Sequence, residues 1–561
     1  MKSKPNKDTL IGLLQKRAES TPQHPAIWTR YAKKRWQSCS WKEFWERSVN
    51  IATNLLSFGL KRQESIAILM KNSVEWEWIQ HGAFLAGTNV VGLDLNDPPD
   101  RLKTILSSIQ FQALFVDDYS LLERFDKNYL SSLKLVALKL KPCSSFSSEK
   151  GHETGDLSVS KVQSKLPAVD SDDLAMTIFT SGTTGEPQAM SFSHGQVVLA
   201  IKSILPRYQG LPERAHLASW LPLANPFQRI INFCAIELNF QTFMVADPTK
   251  IIRVIGEINP HLFAAVPRFY EKVYESIEQK IEALPFLLKK AVKKAMHAAR
   301  QHNKGNRSLA TVLQYKLGQL LILGKFQKIL GKNVGILISG SAPLSVSLLE
   351  KFQSLGWLIL ECYGISENIV PIAISTVDDH RFGSVGKPLV ANSLKFRPDG
   401  EIQVKCPGLS KSVTKTDREG YYDTGDIGEL DEDGFLWLKG RGSDLFKLST
   451  GRKVVPRQIE EVIQQLDIVD HAVVYGKNKK MVSAVVNVTS QKWKEQTDES
   501  LSEADLVDQI KGFVSQNSSH LPSYYQPADY IVVHSSFSIE TGELTANLKT
   551  KRDVIIEKYG K

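Results

Sequence analysis

Residues 175–188 carry side chains suited to holding a phosphate. Ala175, Met176, Thr177, Ile178 and Phe179 make a short apolar run that reads as a buried strand. The run breaks into Thr180, Ser181, Gly182, Thr183, Thr184 and Gly185, and Pro187 stiffens the exit. Gly182 and Gly185 open backbone conformations closed to other residues and let a ligand approach closely. The four hydroxyls and the freed backbone N–H groups are donors, and donors converging on one loop suit a phosphate. Clusters of Ser, Thr and Gly also make ordinary solvated turns, so this stretch alone leaves both readings open. Its spacing is not G-x-x-x-x-G-K-[ST], so kinases and ATPases built on that loop are not implied.

Three more clusters follow in order. They are Tyr363-Gly364-Ile365-Ser366-Glu367, then Tyr422-Asp423-Thr424-Gly425-Asp426, then Gly440-Arg441 with Lys549 near the end of the chain. A carboxylate with two acceptor oxygens, such as Asp426, fits a vicinal diol. Singly, each has a plain alternative: a solvated glutamate or lysine, a core tyrosine, a hairpin loop.

Together the four ordered motifs resemble the adenylate-forming superfamily of acyl-CoA synthetases, luciferases and peptide-synthetase adenylation domains, over residues 10–556. The resemblance implies an α/β fold with a large multi-subdomain N-terminal domain, 1–440, and a small mobile α+β C-terminal domain, 441–561. It implies that ATP activates a carboxylic acid to an acyl-adenylate, that Mg2+ sits on Glu367, and that the thiol of coenzyme A then displaces AMP. Thr180, Ser181, Gly182, Thr183, Thr184 and Gly185 would surround the phosphates. Gly340, Ser341 and Ala342 would form the adenine-side loop. Tyr363 would stack on adenine, with Gly364 and Ser366 in the same nucleotide motif. Asp426 would hold the ribose hydroxyls, and Arg441 the ribose and phosphate at a hinge. Lys549 would bridge the carboxylate and the α-phosphate as a charge clamp rather than a base, since a lysine titrates near ~10.4. With Glu367 and Thr180 it completes the expected catalytic set. Rotation of the small domain would then bring Ser449 and Gly451 towards coenzyme A.

Residues 220–229 and 261–271 resemble segments of long-chain acyl-CoA synthetases, which points to a fatty acid substrate. Rival readings keep the same adenylation residues. In one the acceptor is an acyl carrier protein or the product is acyl-AMP; in the other a degenerate relative binds nucleotide or acyl chains without turnover. Three departures prompt the second: Gln188 where Lys is usual, Asn225 where the long-chain subgroup has His, and Ser443 where Asp or Lys is usual.

The elements that must position these residues are legible as patterns. Ser40 with Glu43 makes a capping box before a helix, residues 65–70 and 113–116 read as sheet strands, and residues 76–86 as a helix. Residues 334–339 and 358–362 read as strands that end at the Ser339–Gly340 and Tyr363 motifs. Residues 143–165 are polar without periodicity and read as an exposed loop. Past Arg441 the pattern becomes a small α+β unit, with helices near 456–466 and 503–514 and strands at 471–475 and 482–488.

At 561 residues the chain is long enough for more than one core. Its 42% hydrophobic and 23% charged content is that of a globular protein. Cys39, Cys143, Cys234, Cys362 and Cys406 are scattered without a C-x-x-C pair, so neither a disulfide framework nor a zinc site is expected, and a reducing compartment such as the cytoplasm fits. The net charge of +10 is local: residues 283–349 hold eleven Lys and Arg and no acid. Within them Leu287, Leu288, Ala291, Val292 and Ala295 are spaced for one helical face with lysines opposite. That pattern fits either a core-packed helix or peripheral contact with an anionic membrane through residues 287–332. No recognition motif accompanies it, so nucleic acid is not an expected partner.

Overall fold

The computed structural model describes residues 8–30, 35–143, 156–159, 165–180, 187–303, 308–318, 326–413, 415–466, 468–488, 502–519, 521–538, 540–544 and 550–560. Two large sheets dominate its first part. The seven-stranded sheet runs, in spatial order, Lys141–Pro142, Leu135–Leu138, Phe111–Val116, Ser65–Leu69, Asn89–Gly92, Leu174–Thr180 and Gln188–Ser193. Its inner neighbours are parallel, and an antiparallel strand closes each edge. The nine-stranded sheet is parallel from Pro25–Thr29 through Gln241–Met244, His216–Ser219, Leu262–Ala265 and Ile336–Ser339 to Ile359–Tyr363, with antiparallel strands outside. Parallel strands covered on both faces need continuous apolar runs, and Ile66, Ala67, Ile68 and Leu69 are all fully buried.

Helices Trp41–Ser57, Val74–Leu85, His194–Ile204 and Pro226–Glu237 share one core with residues from both sheets. The cap expected at Ser40 forms, with the Glu43 amide donating to Ser40 Oγ at 3.2 Å and the Ser40 amide to Glu43 at 2.7 Å. An equivalent box between Ser193 and Gln196 starts His194–Ile204. A four-stranded sheet, Ser393–Phe396, Glu401–Lys405, Tyr422–Leu430 and Leu436–Arg441, follows. The last part has its own three-stranded sheet, His471–Tyr475, Ser483–Asn487 and Asp529–Val533. Helices Pro456–Ile463 and Glu503–Asn517 pack on it around a separate core that includes Val454, Ile459, Val486 and Leu506. The architecture is the expected α/β one, a large N-terminal part with a small α+β C-terminal part.

Two local expectations fail. Residues 143–165 are not simply exposed where described: Cys143, Leu157 and Ser158 are buried. The polar face of Trp41–Ser57 holds Leu157 and Ser158, with Asn54 Nδ2 donating to the Leu157 carbonyl at 2.7 Å and Asn50 Nδ2 to the Ser158 carbonyl at 2.8 Å. Backbone carbonyls recognised by amides leave no apolar period to read. Leu287 and Leu288 do not join the buried face of Phe286–Asn303, which consists of Val292, Ala295, Met296, Ala298 and Ala299. The first turn of that helix overshoots the core it packs on.

Candidate active site

In open α/β sheets ligands bind beyond the carboxyl ends of the strands. Thr180, the Gly340 turn and Tyr363 lie at such ends. Leu174–Thr180 and Gln188–Ser193 form an antiparallel hairpin in which Thr180 pairs with Gln188. Ser181, Gly182, Thr183, Thr184 and Gly185 lie outside the described residues, as does Lys549. Arg101 grips the base of this hairpin. Its guanidinium donates to the Thr180 carbonyl at 3.4 Å and the Phe179 carbonyl at 3.3 Å, while Asp97 holds it at 2.8 Å. Gln188 is exposed.

Strand Ile336–Ser339 delivers the Gly340-Ser341-Ala342 turn. A side chain at Gly340 would place its Cβ 2.9 Å from Cys362 Sγ and 3.0 Å from Phe227 Cζ, so the close approach requires glycine. Ser341 sits at φ +70°, a left-handed conformation uncommon for a residue with a side chain. Burial pushes the Cys362 thiol up to about 12, so it stays neutral beside this turn.

The neighbouring strand Ile359–Tyr363 ends in Tyr363, which is buried. Its hydroxyl donates to Asp426 Oδ2 at 2.6 Å. Asp426 Oδ1 accepts from Arg441 Nε at 2.8 Å. Asp426 and Arg441 face each other in the antiparallel pair Tyr422–Leu430 and Leu436–Arg441, which sets their distance without any long-range contact. The strand is irregular just before Asp426 and is fixed there: Thr424 Oγ1 donates to the Ile402 carbonyl at 2.8 Å, and the Gly425 amide, at φ +73°, donates to Glu401 Oε1 at 3.1 Å. Burial, then the Asp426 charge, raises the Tyr363 phenol well above 10, so it remains a donor.

Glu367 lies one turn past Tyr363 and is half-buried. The Tyr422 hydroxyl lies near its carboxylate; burial, then this charge, pushes Tyr422 up to about 12. Gly364 is exposed and Ser366 half-buried in the same loop. One carboxylate on a half-open loop suits Mg2+, which takes few protein oxygens and fills its shell with phosphates and water. Among the described residues no three His, Cys, Asp or Glu side chains converge as a protein-only metal cage.

Tyr363, Tyr422, Glu367, Asp426 and Arg441 therefore form one cluster at the mouth of the sheets. Ser449 and Gly451 do not join it through any contact of theirs. They occupy the turn between Phe446–Lys447 and Lys453–Val454, where the Ser449 amide donates to the Lys479 carbonyl at 2.9 Å and Gly451 adopts φ +80°. Sequence reasoning missed Tyr422, although it begins a quoted motif, because a hydroxyl partner for Glu367 is a matter of position. It also missed Arg101 and Phe227, which no local signal marks.

The sequence family described as AMP-binding enzyme matches residues 14–408, and the AMP-binding enzyme C-terminal domain matches residues 443–561. A long-chain-fatty-acid–CoA ligase of Mycobacterium bovis is 26% identical over 534 residues, covering 91% of this chain and 88% of its own. The adenylation domain of a carboxylate reductase from Mycobacterium chelonae shares the fold with a TM-score of 0.75 at 20% identity, over 98% of this chain and 90% of that one. The o-succinylbenzoate coenzyme A synthetase of Bacillus subtilis, solved with ATP and magnesium ion, does so with a TM-score of 0.69 at 20% identity, over 96% and 98%. With both matches in chain order, this protein belongs to the AMP-binding enzyme family and is an acid–thiol ligase of the adenylate-forming kind.

Proposed function

We propose that this chain activates a fatty carboxylic acid with ATP, releasing pyrophosphate, and passes the acyl group from AMP to coenzyme A. What supports a fatty substrate is the likeness to long-chain-fatty-acid–CoA ligases, together with an apolar gap between helices His194–Ile204 and Pro226–Glu237 and the strands beneath them. Ile204, Tyr208, Leu217, Ile231, Cys234 and Ile338 are among the residues that line it. Its free volume is about 30 Å³, so an acyl chain would enter only as these side chains part, and its apolar lining favours a hydrocarbon over a polar acid. Helix Pro226–Glu237 links gap and site, with Phe227 against Gly340 and Ile231 one turn on, about 6 Å along the axis.

A carboxylate attacking a polyphosphate meets like charge, so the reaction needs donors and positive charge at the phosphates. In this reading Asp426 accepts from the ribose hydroxyls while Tyr363 and Arg441 hold it in place. The Tyr363 ring faces adenine, and the Gly340 turn leaves room for the base. Thr180 and the loop that follows donate to the phosphates. Lys549 supplies the cation between carboxylate and α-phosphate. Bound at Glu367, Mg2+ would neutralise phosphate charge, and Tyr422 orients the carboxylate that would hold it. The working division is residues 1–440 and 441–561, with the small part turning at Arg441 to present Ser449 and Gly451 to coenzyme A.

Pyrophosphate release with ATP, magnesium and acids of increasing length, with and without coenzyme A, tests this, with Lys549→Ala and Asp426→Ala alongside. Acyl-CoA formed with a chain-length optimum and lost in both variants is the expected result. Acyl-AMP without acyl-CoA would move the acceptor to a carrier protein. Nucleotide binding with no pyrophosphate from any acid would refute the enzyme reading.

A further inference from the structure

We infer that the first turn of helix Phe286–Asn303 is a docking tip that inserts into an anionic lipid surface. Phe286, Leu287 and Leu288 are 76%, 78% and 55% exposed. They are the only three consecutive large hydrophobic residues exposed among the described residues. A soluble protein commonly exposes such residues singly, so a run of three marks a contact surface. They project where the helix begins, ahead of Val292, Ala295 and Ala299, which are buried in the core. The helix therefore cannot lie flat on a membrane with its apolar face down, as its spacing alone suggests; only its tip is available.

The charge around the tip selects the partner. Lys290, Lys293 and Lys294 are exposed on the same two turns. Glu282 pairs with Lys289 and, at 2.9 Å, with Lys293. Lys290 and Lys294 have no acidic partner among the described residues. A protruding apolar tip backed by lysines matches hydrocarbon under acidic headgroups, with the lysine stems spanning the interface. A protein partner would need a pocket for three bulky side chains. No helix among the described residues is long and apolar enough to cross a membrane, so the contact is peripheral. The inference is independent of which acid the enzyme activates.

The test is vesicle flotation of the full-length protein with phosphatidylglycerol–phosphatidylcholine vesicles and with phosphatidylcholine alone. Binding to the anionic vesicles that falls with salt is expected. Each lysine near such a surface contributes about fivefold. Lys290→Glu with Lys294→Glu should therefore weaken binding at least about 25-fold, and Phe286→Ser, Leu287→Ser and Leu288→Ser together at least tenfold. Circular dichroism and pyrophosphate release in detergent-free solution show that the variants stay folded. Phe286→Trp should be quenched by brominated lipid. Equal flotation of wild type and both variants, binding indifferent to anionic lipid, or an unquenched Trp at 286 would each overturn the inference. So would loss of binding to an acidic carrier protein in variants that still float as wild type does.

Discussion

Removing one oxygen from Tyr363 separates its ring from its hydroxyl. Tyr363→Phe keeps the ring and its packing but deletes the 2.6 Å bond to Asp426 Oδ2. A hydrogen bond to a charged group contributes about 1.5–3 kcal/mol. Asp426 keeps its contact with Arg441, but the Arg441 side chain is 52% exposed and that of Asp426 only 10%. The variant thus removes a hold on the buried side of the carboxylate and weakens its positioning. About half of the lost bond should appear in nucleotide affinity, near 1.1 kcal/mol, which is about a sixfold rise in the Kd for AMP. Calorimetric titration with AMP measures it. Because the Tyr363 phenol titrates well above 10, the loss should be constant between pH 6 and 9. The bond, rather than a general loosening, is isolated by the cycle with Asp426→Asn. If Tyr363 acts through the carboxylate, its effect shrinks when Asp426 is changed first. An unchanged Kd in Tyr363→Phe, or effects that add within about 0.5 kcal/mol, would refute the positioning role and leave only the ring.

Glu361 on the same strand is buried and its carboxyl is pushed up to about 7 from 4.5, chiefly by burial, partly offset by the Leu344 amide and Arg457. A proton held more tightly in the folded state means stability present below pH 4.5 and lost as the pH rises to about 7, on the order of 3 kcal/mol. The melting midpoint of wild type should fall over that window relative to Glu361→Gln; parallel curves would contradict it. Arg441→Ala should cost less than about 1 kcal/mol of stability, since the arginine is half exposed. It should nevertheless raise the KM for ATP at least fivefold, so a large drop in melting point with unchanged KM would count against the assigned role. Ile231→Phe narrows the apolar gap and should shift the preferred acid to shorter chains with little change in the KM for ATP. An unaltered chain-length profile would place the acyl chain elsewhere. Gln188→Lys adds a cation at the base of the phosphate hairpin and should lower the KM for ATP several-fold, read from initial rates of pyrophosphate release.

Much of the site was legible before any coordinates because its parts are local. The capping box at Ser40, the buried strands that end at Ser339 and Tyr363, and the Tyr422–Asp426 segment depend on residues a few positions apart. The spacing of polar and apolar types therefore suffices to show them. Asp426 and Arg441, fifteen residues apart, meet because one hairpin sets their register. The small α+β unit after Arg441 was equally visible in its alternating pattern, and its helices and strands form where expected.

What only the tertiary structure decided are relations between distant segments. Arg101 reaches Thr180 across 79 positions, and Tyr422 reaches the Glu367 carboxylate from another sheet. The apolar gap under helix Pro226–Glu237 is a space left by several elements rather than a property of one. Leu287 and Leu288 make the contrast clearest. Their spacing from Val292 and Ala295 satisfies the period of a buried face, yet they are exposed, because periodicity tells which side of a helix is apolar but not how far the core extends beneath it. Sequence determines the direction of a side chain from its helix; only packing determines whether anything is there to meet it.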